Sequence, residues 1–321
     1  MSQQPVLLIS RKLSTSTELR ASKSYDVRLN LEDKVYSPEE LLRECQDVDA
    51  VLACHSEYFS ANLVSQLPGR LKIIANHSVG VDHCDLTALK EKGIVVTNTP
   101  DVLSDATAEI AVLLMLGAAR RASEGDQLVR SGNWEHWSPS FMVGTQVTGK
   151  RLGIVGMGRV GQIMSKRARG FDMEVHYHNR NRLSPEMEGG AIFHEDLDSL
   201  LSASQFLSLH CPATSETIGF LTKDKIDLLP KGAIFINTSR GALVDEEALI
   251  AALKSGKVAG AGLDVYLQEP GGNPDISSLN NVFMLPHIGS ATFETRDAMG
   301  FRALDNLDSF FAGKEPKDCV A

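Results

Sequence analysis

The chain has 321 residues, 43% of them hydrophobic, which is enough for about two globular domains with sizeable cores. Its formal net charge is −9, with 41 acidic against 32 basic side chains, and a field of that sign repels nucleic acid and anionic membranes. We therefore expect neither as a partner, and any anionic ligand must be bound by a local basic site.

The N-terminal segment and the cysteines bear on location. MSQQPVLLISRK has an apolar run of only five residues, shorter than a signal peptide needs, and no stretch approaches the ~18 to 20 apolar residues that span a bilayer. The five cysteines are scattered without metal-ligand spacing, which is typical of reduced thiols. We expect a soluble cytoplasmic protein without a metal site.

Short apolar runs alternate with amphipathic helical patterns along almost the whole chain. Strands are predicted at 5–10, 50–54, 72–77, 94–98, 151–156, 174–179, 205–210, 233–238, 260–265 and 281–286. Helical patterns between them include SPEELLREC, DLTALKEKG, VGQIMSKRARG and DEEALIAALKSG. This alternation predicts an α/β protein built from βαβ units, with parallel sheets covered on both faces.

A long helical pattern from Ser104 to about Val129 lies between the two strand series, as a linking helix would. It is followed by an excursion over 131–150, rich in Gly, Ser, Pro and aromatic residues. We predict two similar α/β domains, residues 1–100 and 101–287, and a helix over the last ~30 residues. Periodicity alone leaves open where that final helix packs.

Three glycines, Gly156, Gly158 and Gly161, have the spacing G-x-G-x-x-G directly after a predicted strand and at the start of a predicted helix. In a dinucleotide fold they allow the tight turn, the approach of the pyrophosphate and the close packing of helix on strand. The free N–H groups of the helix N-terminus then bind the phosphates. The alternative is a purely structural βα turn.

The run HNRNR (178–182) ends the second strand of this fold, where many dinucleotide-binding proteins carry a carboxylate for the ribose 2′-OH. Asn179 stands at that position, eighteen residues after Gly161, and Arg180 and Arg182 follow. An arginine can bind a 2′-phosphate that a carboxylate would repel. The run favours NADPH, and the alternative is a solvated turn with relaxed coenzyme choice.

Arg240, Glu269 and His287 each follow a predicted strand of the second half. Ligands of open α/β sheets bind at the carboxyl ends of the strands. These three residues are therefore candidates for a site that binds an anionic substrate and gives it a proton. Alternatively, Glu269 is a plain loop residue and His287 a polar residue at a strand end.

The segments GIVGMGRVGQ, LHCPATSETIG, FINTSRGALVDEEAL, GLDVYLQEP and LPHIGSAT stand in this order along the chain. Through them the chain resembles the D-isomer-specific 2-hydroxyacid dehydrogenase family over nearly its full length. It most resembles glyoxylate/hydroxypyruvate reductases, through HNR, NWEHW and PHIGSAT. The resemblance implies a flavodoxin-like substrate-binding domain of residues 1–100 plus 288–321, and an NAD(P)-binding Rossmann domain of residues 101–287.

The resemblance also implies catalytic roles. Arg240 would bind the substrate carboxylate and polarise the 2-keto oxygen, His287 would protonate that oxygen as general acid, and Glu269 would favour the imidazolium. A histidine of ordinary pKa, ~6.5, needs such a carboxylate partner to stay charged near neutral pH.

The remaining implied positions are ligand contacts, although small or buried residues among them could be structural. Coenzyme-binding positions are Thr107, Gly156, Gly158, Arg159, Val160, Gly161, Asn179, Arg180, Arg182, Cys211, Pro212, Thr217, Thr238, Ser239, Arg240, Asp264, His287 and Gly289. Substrate-binding positions are His55, Val79, Gly80, Arg240, His287, Ser290 and Trp137. The amides of Val79 and Gly80 would form an anion nest for the substrate carboxylate.

Trp134 and Trp137 lie on the excursion that crosses to a second subunit in related reductases, so the resemblance implies a homodimer. Trp137 either lines the partner's active site or belongs to ordinary dimer packing. The expected function is reduction of glyoxylate or hydroxypyruvate to glycolate or D-glycerate with NADPH, with NADH possible as an alternative coenzyme. The alternatives are a 2-ketogluconate or hydroxyphenylpyruvate reductase of the same family, or a non-enzymatic NAD(P)-sensing corepressor.

Overall fold

A computed structural model describes residues 4–321, which form two compact units. One unit comprises the described residues up to Leu103 together with Ser290–Ala321, and the other comprises Ser104–Gly289. The predicted domain limits fall at 100/101 and 287/288, and residues 1–3 of the first predicted domain lie outside the described residues.

Strands and helices alternate along both units. The strands are β1 Val6–Ile9, β2 Asp26–Leu29, β3 Ala50–Ala53, β4 Ile73–Asn76, β5 Val95–Thr97, β6 Arg151–Val155, β7 Glu174–His178, β8 Ile192–Phe193, β9 Phe206–Leu209, β10 Ala233–Asn237, β11 Val258–Leu263 and β12 Val282–Met284. The α-helices are α1 Thr15–Ser24, α2 Pro38–Glu44, α3 Ala61–Gln66, α4 Leu86–Glu91, α5 Ser104–Ala119, α6 Ala122–Arg130, α7 Arg159–Arg169, α8 Pro185–Glu188, α9 Leu197–Ala203, α10 Lys223–Leu228, α11 Glu246–Ser255, α12 Pro274–Ser277 and α13 Phe293–Phe311. None of these described helices is both long enough and apolar enough to cross a lipid bilayer.

The first unit contains a parallel sheet in the order β2-β1-β3-β4-β5, the strand order of flavodoxin-like folds. All residues of β1, β3 and β4 are buried, as expected where helices cover both faces of a parallel sheet. Helix α13 packs in this unit against α1, where the Ser16 hydroxyl donates to Asp297 at 2.6 Å and Arg20 pairs with Asp308 at 3.0 Å.

The second unit contains a parallel sheet in the order β12-β11-β10-β9-β6-β7-β8 among residues 104–289. Read from β8 to β11, this is the strand order of the Rossmann fold, with β6 as its first strand. Strand β12 is an additional strand beside β11. The two parallel sheets confirm the predicted fold class of two Rossmann-like α/β domains. Because the strands are parallel, the loops after β6, β7, β9, β10, β11 and β12 all leave from one edge of the sheet.

The single helix predicted over 104–129 is wrong, because the structure divides it into α5 and α6. Arg121 adopts a left-handed backbone conformation (φ 55°) at the break, and its guanidinium pairs with Glu124 at 2.7 Å. The carbonyl of Ala119 accepts a hydrogen bond from Thr145 (2.8 Å), whose segment approaches the end of α5 closely. This tertiary contact uses the carbonyl that a continuous helix would need for its own ladder.

Candidate active site

The glycine loop after β6 has the geometry of a phosphate cradle. Gly156 has φ 94°, and a Cβ there would lie 2.5 Å from the amide nitrogen of Cys211, so only glycine fits. A Cβ on Gly161 would lie 2.4 Å from the carbonyl of Gly156, which explains the close packing of α7 on the loop. A Cβ on Gly158 would meet nothing within 4 Å, so the missing side chain leaves open space at the start of α7. Arg159 and Val160 are the first two residues of that helix, and the N–H groups of its first turn face this space.

The end of β7 is tied to the glycine loop. The side-chain oxygen of Asn179 accepts a hydrogen bond from the amide of Met157 at 2.6 Å, and the amide of Gly156 donates to His178 at 3.1 Å. The position that carries a carboxylate in many dinucleotide folds is therefore occupied by a neutral amide that shapes the loop.

The two arginines of HNRNR have different surroundings. Arg180 has an 86% exposed side chain and lies 3.6 Å from a carboxylate oxygen of Glu216, in the loop after β9. Arg182 is held by Glu188 through two contacts, of 2.7 and 3.2 Å, and Tyr177 donates to the same carboxylate at 2.7 Å. The guanidinium of Arg182 holds the pKa of the Glu188 carboxyl below its ordinary value, with the Tyr177 hydroxyl contributing. The Arg180 side chain is thus exposed beside the loop after β9. The Arg182 side chain instead stabilises the turn after β7 through its ion pair with Glu188.

The loop after β9 carries Cys211, Pro212 and Thr217. The Ser239 hydroxyl donates to the carbonyl of Cys211, and the Thr217 hydroxyl donates to the carbonyl of Pro212 at 2.7 Å. Burial raises the pKa of the Cys211 thiol to about 11, so the thiol stays protonated near neutral pH. A protonated thiol is a poor nucleophile, which suits a packing or binding role for this cysteine.

Next to this loop, the end of β10 brings Thr238 beside His210. Burial lowers the pKa of His210 to about 4, so its ring is neutral, and the ring lies 2.9 Å from the Ser208 hydroxyl and 3.4 Å from that of Thr238. Arg240 follows, and its backbone carbonyl accepts a hydrogen bond from the buried Asn237 side chain at 2.9 Å. The sheet thereby fixes the backbone from which the Arg240 side chain extends.

Asp264, directly after β11, holds the turn that follows β12. Its two carboxylate oxygens accept hydrogen bonds from the amides of Ile288 and Gly289, each at 2.8 Å. Burial raises the pKa of this carboxyl above its ordinary value, against the opposing effect of the two amides. A Cβ on Gly289 would lie 3.1 Å from that carboxylate and 3.5 Å from the Thr107 side chain, so these three residues are close together.

Glu269 and His287 form a direct pair beside that turn. Nδ1 of His287 lies 2.5 Å from Oε2 of Glu269, and the other carboxylate oxygen accepts from the amide of Tyr266 at 2.8 Å. His287 has φ 54°, a left-handed conformation that is rare outside glycine. Strain of this kind often occurs at functional sites, because the surroundings must hold it in place. The ends of the neighbouring strands β10, β11 and β12 thus carry Arg240, Glu269 and His287 in one unit.

Other predicted positions lie in the first unit or on the excursion. The hydroxyl of Ser78 donates to Gly80 and the Asn98 side chain donates to Val79, so both carbonyls are bonded. Within residues 4–321, the backbone amides of Val79 and Gly80 donate no hydrogen bond. An anion nest requires backbone amides that are available in this way. The remaining positions are His55, exposed after β3, Ser290, just before α13, and Trp137, exposed on the excursion.

Arg296, on the first turn of α13, was not among the predicted site residues. Its guanidinium is half-buried, and burial lowers its pKa. No ion pair to this side chain is found among the described residues, and its backbone carbonyl is bonded by the buried ring of His77 at 3.1 Å. The only signal in the sequence was its place shortly after PHIGSAT.

The chain matches the family model described as "D-isomer specific 2-hydroxyacid dehydrogenase, NAD binding domain" over residues 112–289. It is 43% identical over 317 residues to glycerate dehydrogenase of Hyphomicrobium methylovorum, covering 98% of both chains. It is 41% identical to glyoxylate reductase of Thermococcus litoralis, covering 99% of this chain and 97% of the relative.

Two solved structures are also similar. The first, from Polaromonas sp. JS6 66, is described as "putative D-isomer specific 2-hydroxyacid dehydrogenase, NAD-binding", with TM-score 0.94, 44% identity and coverage of 99% and 100% of the two chains. The second is the NADPH-dependent glyoxylate/hydroxypyruvate reductase of Sinorhizobium meliloti, in complex with NADP and malonate, with TM-score 0.87, 30% identity and coverage of 99% and 97%.

The chain therefore belongs to the D-isomer-specific 2-hydroxyacid dehydrogenase family. It is an oxidoreductase that uses a nicotinamide coenzyme, which confirms the predicted enzyme class.

Proposed function

We propose that this enzyme reduces small 2-keto acids, such as glyoxylate and hydroxypyruvate, to glycolate and D-glycerate, with NADPH as the preferred coenzyme. The observation that carries the proposal is the Glu269–His287 pair at the strand ends of the coenzyme-binding unit. The names of the relatives from Hyphomicrobium methylovorum and Thermococcus litoralis support these substrates.

In the proposed mechanism His287 is the general acid. Since Nδ1 of His287 faces the Glu269 carboxylate, Nε2 is the atom that carries the transferable proton. The coenzyme, when bound, supplies the hydride to the 2-keto carbon. His287 donates its proton to the keto oxygen, and Glu269 stabilises the imidazolium that precedes this step.

Arg240 and the loop after β4 serve the substrate in this proposal. The guanidinium of Arg240 binds the carboxylate and polarises the keto oxygen, as charge-assisted hydrogen bonds allow. The amides of Val79 and Gly80 donate to the substrate carboxylate, and the absence of bonds from them within the described residues supports this role.

The fit of the coenzyme rests on the glycine loop and the end of β7. The open space at Gly158 supports binding of a pyrophosphate at the start of α7. Asp264, whose carboxylate accepts from the amide of Ile288, is the proposed acceptor for the carboxamide of the nicotinamide. The neutral side chain of Asn179 and the exposed guanidinium of Arg180 favour a 2′-phosphate. Arg182 is bonded to Glu188, so the preference is assigned to Arg180, and the NADPH-dependent relative from Sinorhizobium meliloti supports it.

A homodimer completes the proposal. The excursion after α6 exposes large apolar side chains, namely Trp134 (55%), Trp137 (73%) and Val143 (64%). Large apolar side chains with this much exposure are typical of protein interfaces. A second copy of the chain is the proposed partner.

Steady-state rates test the proposal directly. Glyoxylate, hydroxypyruvate, 2-ketogluconate and hydroxyphenylpyruvate are each offered with NADPH and with NADH. We expect the highest kcat/KM with one of the first two and NADPH. A higher kcat/KM for 2-ketogluconate or hydroxyphenylpyruvate would reassign the substrate, and a preference for NADH would overturn the role of Arg180.

A further inference from the structure

Tyr266 lies where three functional segments of the second unit meet. Its hydroxyl is 2.8 Å from the carbonyl oxygen of Leu285 and 3.1 Å from that of Leu263. Leu285 lies two residues before His287, and Leu263 is the last residue of β11. The hydroxyl therefore bridges the end of β11 to the backbone that carries the imidazole.

The main chain of the same residue holds the carboxylate partner. The amide of Tyr266 donates to Oε1 of Glu269 at 2.8 Å, which leaves Oε2 for Nδ1 of His287 at 2.5 Å. One residue thus contacts both the carboxylate and the segment of the histidine, through two different groups.

The third segment is the one that follows Arg240. A Cβ on Gly241 would lie 2.0 Å from the carbonyl carbon of Tyr266, so the two backbones are in direct contact. No larger residue fits at position 241 without displacing one of them. Tyr266 therefore contacts the carboxylate of Glu269, the backbone directly after Arg240 and the backbone two residues before His287.

The hydroxyl has the properties of a fixed hydrogen-bond donor. Burial raises the pKa of Tyr266 to about 12, and the nearby Asp264 carboxylate acts in the same direction. The phenol stays protonated over the working pH range, so its O–H is available to a carbonyl at all times. A phenylalanine would keep the ring and the amide contact to Glu269 but lose the bridge to Leu285.

We infer that Tyr266 is a positioning residue, whose hydroxyl sets the place of His287 relative to the Glu269 carboxylate. The inference rests on the proposed role of His287 as general acid. Alignment of an acid within a few tenths of an ångström matters, because a misplacement of about 1 Å can cost ~100-fold in rate. The left-handed backbone of His287 must also be held by its surroundings, and the contact of the Tyr266 hydroxyl with Leu285 is one such support.

The test is Tyr266→Phe in the full-length enzyme, with its 2-keto acid substrate and NADPH. We expect kcat to fall about tenfold and the KM for NADPH to stay unchanged. This loss is smaller than the ~100-fold that a misplacement of about 1 Å can cause, because Tyr266→Phe should shift His287 by less. The high-pH fall of reductive kcat/KM should also move to lower pH, because the imidazolium loses part of its contact with Glu269.

Tyr25→Phe is the matched control. Tyr25 is a buried tyrosine of the first unit, and its hydroxyl donates to Asp308 at 2.6 Å. This variant should lower the Tm and leave the pH profile unchanged. If Tyr266→Phe behaves in the same way, or has wild-type kcat, the positioning role is wrong.

A third variant distinguishes failure of the positioning role of Tyr266 from failure of the acid role of His287. His287→Gln should lose activity by at least 100-fold if His287 is the acid, in line with the ~10²–10⁴-fold typical of such a group. Loss in His287→Gln with wild-type behaviour of Tyr266→Phe would overturn only the inference on Tyr266. Retention of activity in His287→Gln would overturn the proposed mechanism itself.

Discussion

Nδ1 of His287 lies 2.5 Å from Oε2 of Glu269, although eighteen residues separate the two along the chain. The contact is made because β11 and β12 are neighbours in a parallel sheet and deliver both residues at the same edge. About one quarter to one third of each side chain is exposed, so solvent reaches both members of the pair.

The first prediction concerns the carboxylate of this pair. Glu269→Gln should lower kcat for keto-acid reduction by about 10- to 100-fold, since the imidazolium loses its neighbouring negative charge. The pH at which reductive activity falls should also decrease. The profile is measured as kcat/KM from about pH 5 to about pH 9, with Glu246→Gln as a control in the same unit. An unchanged profile would show that Glu269 does not act through the histidine.

The second prediction concerns coenzyme choice. Arg180→Ala should raise the KM for NADPH about 10- to 100-fold and leave that for NADH within about twofold, because a charge-assisted hydrogen bond contributes ~1.5–3 kcal/mol. Arg43→Ala is the matched control, since Arg43 is an exposed arginine paired with Glu44 at 3.4 Å in the other unit. Equal effects on the two coenzymes would make HNRNR a plain surface turn.

The buried strands could be predicted from the sequence, whereas β2 and β8 could not. The residues of β1, β3, β4 and β9 are all buried, so these strands are mostly apolar runs that can be recognised in the sequence. Strand β2 lies at a sheet edge with alternating exposure, and β8 is an edge strand of two residues. Neither of them has a buried residue and so neither leaves an apolar run, whereas the edge strands β5 and β12 contain buried residues and were predicted.

In the candidate site, too, some features could be predicted from the sequence and others could not. The positions of Arg240, Glu269 and His287 followed from the strand ends, because ligands of parallel sheets bind there. The engagement of Arg182 by Glu188 could not be predicted, since it depends on how α8 turns back toward β7. The bridge made by the Tyr266 hydroxyl was also invisible, because its partners are backbone carbonyls without a sequence signature.

The third prediction concerns Glu216, whose carboxylate lies 3.6 Å from Arg180. A 2′-phosphate must compete with this carboxylate for the guanidinium and is repelled by it. Glu216→Gln should therefore lower the KM for NADPH by up to about fivefold, the equivalent of the ~0.2–1 kcal/mol of an exposed ion pair, without changing that for NADH. Glu195→Gln, an exposed change of equal charge in the same unit, is the control. A weaker affinity for NADPH in Glu216→Gln would contradict this competition.

The fourth prediction concerns assembly through the excursion and α6. Light scattering should give about twice the chain mass of 34.9 kDa, because the exposed apolar side chains need a partner. Val129→Glu combined with Val143→Glu should give the single-chain mass, since the two exposed valines would place charges in the proposed interface. Leu31→Glu, at an exposed leucine of the other unit, should leave the mass unchanged. A single-chain mass for the unaltered protein would exclude the proposed homodimer.

The fifth prediction concerns the stability of the first unit toward acid. Burial lowers the pKa of His77 to about 4, and its Nδ1 has no hydrogen-bond partner among the described residues. The unfolded chain takes up a proton below the ordinary pKa of ~6.5, whereas the folded state resists it down to about 4. His77 therefore does not reduce the free energy of unfolding above pH ~6.5. As the pH falls from ~6.5 toward about 4, protonation of this residue in the unfolded chain lowers the free energy of unfolding by up to ~3 kcal/mol. His77→Gln should reduce the slope of the unfolding free energy against pH in urea unfolding over this window, and His136→Gln, at an exposed site, should not. A wild-type slope in His77→Gln would show that acid sensitivity arises from other groups.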